Sequence, residues 1–230
     1  MSQDFALEGL EQRRHLAAAP LSAFYPLIRG STWSYDIVDD GKHLTSIETI
    51  ATQTKRIHGE RAFQRISDWS DGSRGITFEN FSAAGQLHLH RAGDDSSHLT
   101  FSPAVSFPKL ARVGQRVQTS GRLDFTDGSV HFTGTYHADA QVTGTERITI
   151  PAGTFATIKV RMKVTLSLEY HKNGDNIVMK DVDTETEWLA RGVGTIKNLQ
   201  KTHSDDTTNG RREVSDGMEI DLLRSYSIPH

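Results

Sequence analysis

The stretch TERITIPAGTFATIKVRMKVTLSLEYHKNG, residues 145–174, decides the fold. From Ala156 to Tyr170 almost every second residue is apolar. That is the period of a half-buried strand, not of a helix. Pro151-Ala152-Gly153 precedes the run as its hinge, and Gly153 is expected at positive φ or in a tight bend. A strand over 154–171 would reach roughly 55 Å, too far to stay flat, so it must bend or coil. Long coiled antiparallel strands close, or nearly close, a barrel.

Working outward, the chain from Thr32 onward reads as strands separated by turn signals such as DDGK, SDGS, TDGS, KNGD and DDTTNG. The expected fold is therefore all-β, with long curved antiparallel strands forming an open or closed barrel. Residues 2–19, SQDFALEGLEQRRHLAAA, carry the one amphipathic pattern, with Phe5, Leu7, Leu10 and Leu16 as its stripe. The expected division is an N-terminal helix over 1–20, a natural lid or plug, and one barrel-like domain over 21–230. FYPLIRGSTWSY and FPKLARVGQRVQTS both place Phe, Pro, Leu and Gly ahead of a strand, and FSAAGQLHL parallels WLARGVGTI. These echoes suggest a duplication, 24–102 and 107–203.

Two hairpins can be taken to register. A two-residue turn at Asp127-Gly128 sets Phe125 opposite Val130 and Leu123 opposite Phe132, with one face apolar throughout. Near Asn173-Gly174 a two-residue turn would place Leu166 against Asp181 and mix faces. A three-residue loop including Asp175 instead puts Leu166 by Val182, Val160 by Trp188 and Lys163 by Glu185, and it is preferred here. In that register Asp181, Asp183, Glu185 and Glu187 could suggest a hard-cation site, but Lys159, Arg161 and Lys163 face them. A solvated salt-bridged ladder is expected, and no calcium.

Composition narrows the function. The 230 residues carry a formal charge of -3, with basic and acidic residues interspersed. No footprint for a phosphate backbone exists, so nucleic acid is not an expected partner. The absence of cysteine excludes disulfides, thiolate metal sites and a cysteine nucleophile. HLAAAPLSAFYPLI follows Arg13 and Arg14 like a leader, but Pro20 and Pro26 break it, and no stretch has the length of a membrane span.

YPLIRGSTWSY, ITIPAGTFATIKV and EWLARGVGTIK, in that order, resemble a group of bacterial all-β proteins of unassigned function, many of them exported or lipoproteins. These are similar in fold to the open barrels of lipoprotein carriers. The resemblance covers residues 24 to about 200, and it implies a curved sheet around an apolar cavity. It implies the periplasm or cell envelope, whereas a native start at Met1 without a leader or lipidated cysteine would place the chain in the cytoplasm.

Residues able to carry chemistry are few. His88 and His90 lie two apart and could hold a metal if a third ligand converged. Leu87 and Leu89 claim the inner face, so the pair is expected to face water, as are His131, His137 and Asp139. No G-x-S-x-G elbow and no phosphate-binding glycine loop occurs, so no catalytic residue, metal or cofactor is expected. A paired-carboxylate hydrolase would leave no spacing signature and stays open as the third reading. The large residues on apolar faces are more suggestive. Trp33, Tyr35, Phe132, Tyr136 and Trp188 are the expected ligand-binding set, lining a cavity for a small hydrophobic or lipid-like molecule. The rival reading is a packed barrel whose partner is another protein.

Overall fold

The computed structural model describes residues 19–229 other than Ser129 and Asn173. The expected helix over 1–20 lies outside the described residues apart from Ala19 and Pro20. The remainder is twelve antiparallel strands: β1 (Thr32–Asp39), β2 (Lys42–Ile57), β3 (Glu60–Trp69), β4 (Arg74–Phe81), β5 (Leu87–Gly93), β6 (Ser97–Ser106), β7 (Arg116–Asp127), β8 (Val130–Ile150), β9 (Gly153–Lys172), β10 (Asp175–Ala190), β11 (Gly194–Thr208) and β12 (Arg211–Ser227). Each pairs with its neighbours in sequence, and β1 pairs with β12. The barrel is closed, which removes both sheet edges.

The opening stretch forms the β8–β9 hairpin. Gly153 pairs with Ile150 and has φ 134°, a value open to glycine and strained for a residue with a Cβ. On β9, Ile158, Val160, Met162, Val164, Leu166 and Leu168 are all buried, so alternation decides the inner face as read. A register shift between Val142 and Gly144 lets the long hairpin bend.

Two registers differ from expectation. In the β7–β8 pair, Asp127 meets Val130 and Phe125 meets Phe132, so the turn lies one residue later than Asp127-Gly128. The slip amounts to two in the pairing sum, so every side chain keeps its face. The β9–β10 difference has larger consequences. Asp175 pairs with Lys172, closing a two-residue turn in place of the three-residue loop. Leu166 therefore meets Asp181, Val160 meets Glu187 and Lys163 meets Thr184. A slip of one exchanges the two faces of a strand. The acidic row of β10 is thus not a solvated ladder against Lys159, Arg161 and Lys163: it shares the face of the buried β9 residues and points into the barrel.

The apolar core forms two main clusters. One gathers inner residues of β5–β9 with Leu21, Phe24 and Tyr25 from the segment before β1, where Leu21–Ala23 form a single 3-10 turn. The other contains Trp33, Tyr35 and Ile37 of β1, Ile50 of β2, Ile196 of β11 and Leu223 of β12. The entry segment is tied across the barrel, Leu21 N–H donating to Lys109 O, Gly192 N–H to Ala23 O and Gly30 N–H to Ile50 O. Polar residues occupy the space between the two clusters.

Candidate functional site

A cavity of about 160 Å3 lies in the barrel interior. One wall is apolar, with Leu87, Leu89, Phe107 and Met162; the other presents Glu48 of β2, Glu79 of β4, Glu185 and Glu187 of β10, and Asp221 of β12. Strand alternation places them there. On β12 Asp221 lies two residues before buried Leu223, and on β2 Glu48 lies two before buried Ile50.

Arg65 of β3 is the one basic residue in the lining. Its Nη1 lies 3.0 Å from Glu48 Oε2 and its Nε lies 3.4 Å from Glu79 Oε2. Its guanidinium also covers the rings of Tyr25 and Trp33, at 4.9 and 5.2 Å from their centroids. Tyr25 closes the group by donating its hydroxyl proton to Glu79 Oε1 at 3.1 Å. Arg65 is thus committed to two of the carboxylates.

Glu187 and Asp221, and Asp183 next to the cavity lining on β10, have neutral partners drawn from β11. Thr195 Oγ1 donates to Glu187 Oε1 at 2.7 Å, Asn198 Nδ2 to Asp221 Oδ2 at 3.3 Å, and Gln200 Nε2 to Asp183 Oδ2 at 3.0 Å. The oxygens Asp183 Oδ1, Asn198 Oδ1 and Asp221 Oδ1 are buried without a protein partner. Asn198 itself is only 8% exposed. Such acceptors are costly to bury unless a donor reaches them.

Titration follows from this crowding. Burial pushes Glu187 up to about 7, against the pull of the Thr195 hydrogen bond and Arg65. Burial, reinforced by Glu219 and Glu48, moves Asp221 to about 8. Asp183 rises to about 6, again by burial. Glu185 is raised by burial and by the adjacent Glu187 and Asp183 carboxylates. Near neutral pH this wall therefore holds protons that a bound cation would displace.

The expected aromatic set does not converge on one place. Tyr35 lines the cavity and donates its hydroxyl proton to Thr195 O at 2.9 Å. Trp33 stands behind it, with Nε1 donating to Val193 O at 2.6 Å. Phe132 packs in the other cluster, its ring centroid 3.8 Å from that of Tyr170, and Tyr136 donates to Pro103 O. Trp188 is buried in the same core cluster as Trp33 and Tyr35, but it does not line the cavity: it is bonded to Glu146 and covered by the ammonium groups of Lys159 and Lys197. The sequence reading missed Glu48, Arg65, Glu79, Asn198 and Asp221.

Against known proteins, the match is partial. Residues 113–207 match the DUF3108-like family model. That span runs from just before β7 to β11 and is less than half of the chain. A presumed lipoprotein from Parabacteroides distasonis is 13% identical with a TM-score of 0.48, the alignment covering 89% of this chain and 98% of that one. A presumed exported protein with a YmcC-like fold from Bacteroides fragilis is 11% identical with a TM-score of 0.43, at the same coverage. No curated protein matches the chain. Among the described residues no helix is long and apolar enough to cross a membrane.

Proposed function

We propose that the chain is a non-enzymatic binding barrel that encloses a small molecule with an apolar body and a cationic, proton-donating head. One observation carries the reading: five carboxylates converge on a single cavity whose one guanidinium is shared by two of them. An ammonium or amidinium head supplies the missing charge and donates to Asp221 Oδ1 and Asn198 Oδ1. The apolar wall of Leu87, Leu89, Phe107 and Met162 takes the adjoining carbons. Farther along β9, a separate recess of about 370 Å3 is lined by Leu99, Phe125, Leu166, Leu168 and Met179 together with Asp94, His98 and Asp181. This reading keeps the carrier-like expectation of an interior ligand but gives that ligand a charged end.

The test is calorimetric titration at pH 8 with straight-chain primary amines of two to six carbons and the matching alcohols. The amines should bind saturably and the alcohols should not. Glu187→Gln with Asp221→Asn should abolish amine binding. Equal binding of amines and alcohols would favour a purely hydrophobic ligand. No binding by either, with a full panel of organic cations also silent, would favour the packed protein-interaction barrel.

A further inference from the structure

A second cluster lies outside the cavity, where β3 starts and β5 runs. Its residues are Glu60, His88 and His90, whose ligand atoms all fall within 4.8 Å of one another. The expected solvation of the histidine pair does not hold for His90, which is 2% exposed. The cause is a bulge: Glu79 pairs with Leu89 and Phe78 with Arg91, leaving His90 as the extra residue on β5. The bulge turns its ring toward Asn80 and Glu60.

Two of the three edges are close to those of a chelate, and the third is within 4.8 Å. Glu60 Oε2 lies 3.8 Å from His88 Nδ1 and 3.6 Å from His90 Nε2. Donors about 2.0–2.2 Å from a tetrahedral zinc ion stand roughly 3.4 Å apart, so closure needs shifts of only a few tenths of an ångström along these two edges. Asn80 braces the set, Nδ2 donating to Glu60 Oε2 at 3.1 Å and to Arg61 O at 3.2 Å. Its Oδ1 sits 3.0 Å from His90 Nε2, the contact that the ion would replace. Asn80 is itself buried, so the carboxylate it orients is held from the protein side. The Glu60 side chain is 51% exposed, which leaves an open approach for the ion and for water as a further ligand.

We propose that Glu60, His88 and His90 form a site for a divalent transition-metal ion of the imidazole-favouring kind, zinc above all. Two imidazoles and one carboxylate with an open position make a workable site, and softer thiolate ligands are absent from the whole chain. None of its three residues lines the interior cavity.

The experiment uses untagged protein freed of metal by a chelator and titrated with Co2+, then with Zn2+ in competition. One equivalent of Co2+ should give visible ligand-field absorption that Zn2+ abolishes, and Zn2+ should raise the melting temperature. His88→Gln, at a partly exposed position, should weaken binding by more than about tenfold while leaving the metal-free protein folded. His90→Gln and Glu60→Gln should do the same, and His137→Gln, an exposed histidine paired with Ser120, should have no effect. Absence of one-equivalent binding, or binding that survives His88→Gln, overturns the site. So does an equal loss on His137→Gln, which would mark adventitious surface binding.

Discussion

Replacing Glu187 by Gln isolates one proton of the acidic wall. Glu187 is buried, accepts from Thr195 Oγ1 at 2.7 Å and titrates near 7 instead of its ordinary 4.5, chiefly because burial disfavours the charged form. The native state then holds a proton more tightly than the unfolded chain does. The stabilisation is complete below about pH 4.5 and is lost as pH rises through about 7. A displacement of about 2.5 units corresponds to about 3 kcal/mol in the limit. Gln keeps the shape and neutrality of the protonated acid at every pH. The variant should therefore match wild type within about 1 kcal/mol at pH 5 and exceed it by about 2–3 kcal/mol at pH 8.5. Urea unfolding followed by tryptophan fluorescence at half-unit pH steps gives the comparison. His90 and His98, both lowered by burial, gain stability as pH rises toward 6.5, so the difference between the two proteins is the readable quantity. A flat difference from pH 5 to 8.5, or one of opposite sign, would refute an inward, buried Glu187.

Three further outcomes follow from the same geometry. Arg65→Met should cost about 3–5 kcal/mol at pH 8 by leaving the charges of Glu48 and Glu79 without their cation; a denaturant titration reads this, and an unchanged urea midpoint would contradict the pairing. Val164→Asp places a second acid opposite inward Asp183 and should cost at least about 3 kcal/mol, whereas Thr165→Asp, opposite Val182 on the outer face, should cost little; equal urea midpoints would contradict the register. Gly153→Val should lose about 1–3 kcal/mol because φ 134° is strained for a side chain, and an unchanged melting temperature would contradict the hinge.

The fold was largely legible because its signals are local. Period-two alternation on β9 decided the inner face, and Gly153 at the hinge has the positive φ that its setting suggested. The site was hidden by an assumption about polarity. Asn173-Gly174 is a strong two-residue hairpin signal, and the turn it favours puts Asp181 beside Leu166, a pairing that uniform polarity of a face argues against. In a twelve-stranded barrel neighbouring strands need not share polarity, since the interior can carry an apolar wall on β5–β9 and an acidic one drawn from β2, β4, β10 and β12. Arg65 did leave a trace, spaced by two from Phe63 and Ser67 on β3. Its meeting with Glu48 and Glu79 joins β2, β3 and β4, and no spacing along the chain encodes that. His90 departs from simple alternation for a smaller reason: one bulge residue moves it from the expected solvent face into a buried contact with Asn80.

The most direct measurement is a pair of crystal structures at pH 8, without and with the tightest-binding primary amine. Density for the amine nitrogen within hydrogen-bonding distance of Asp221 Oδ1 and Asn198 Oδ1, with its carbons against Met162 and Phe107, is the predicted result. Identical cavities in both crystals, bridged by the same ordered waters while the amine sits elsewhere, would contradict the account of the interior as a cation-binding site.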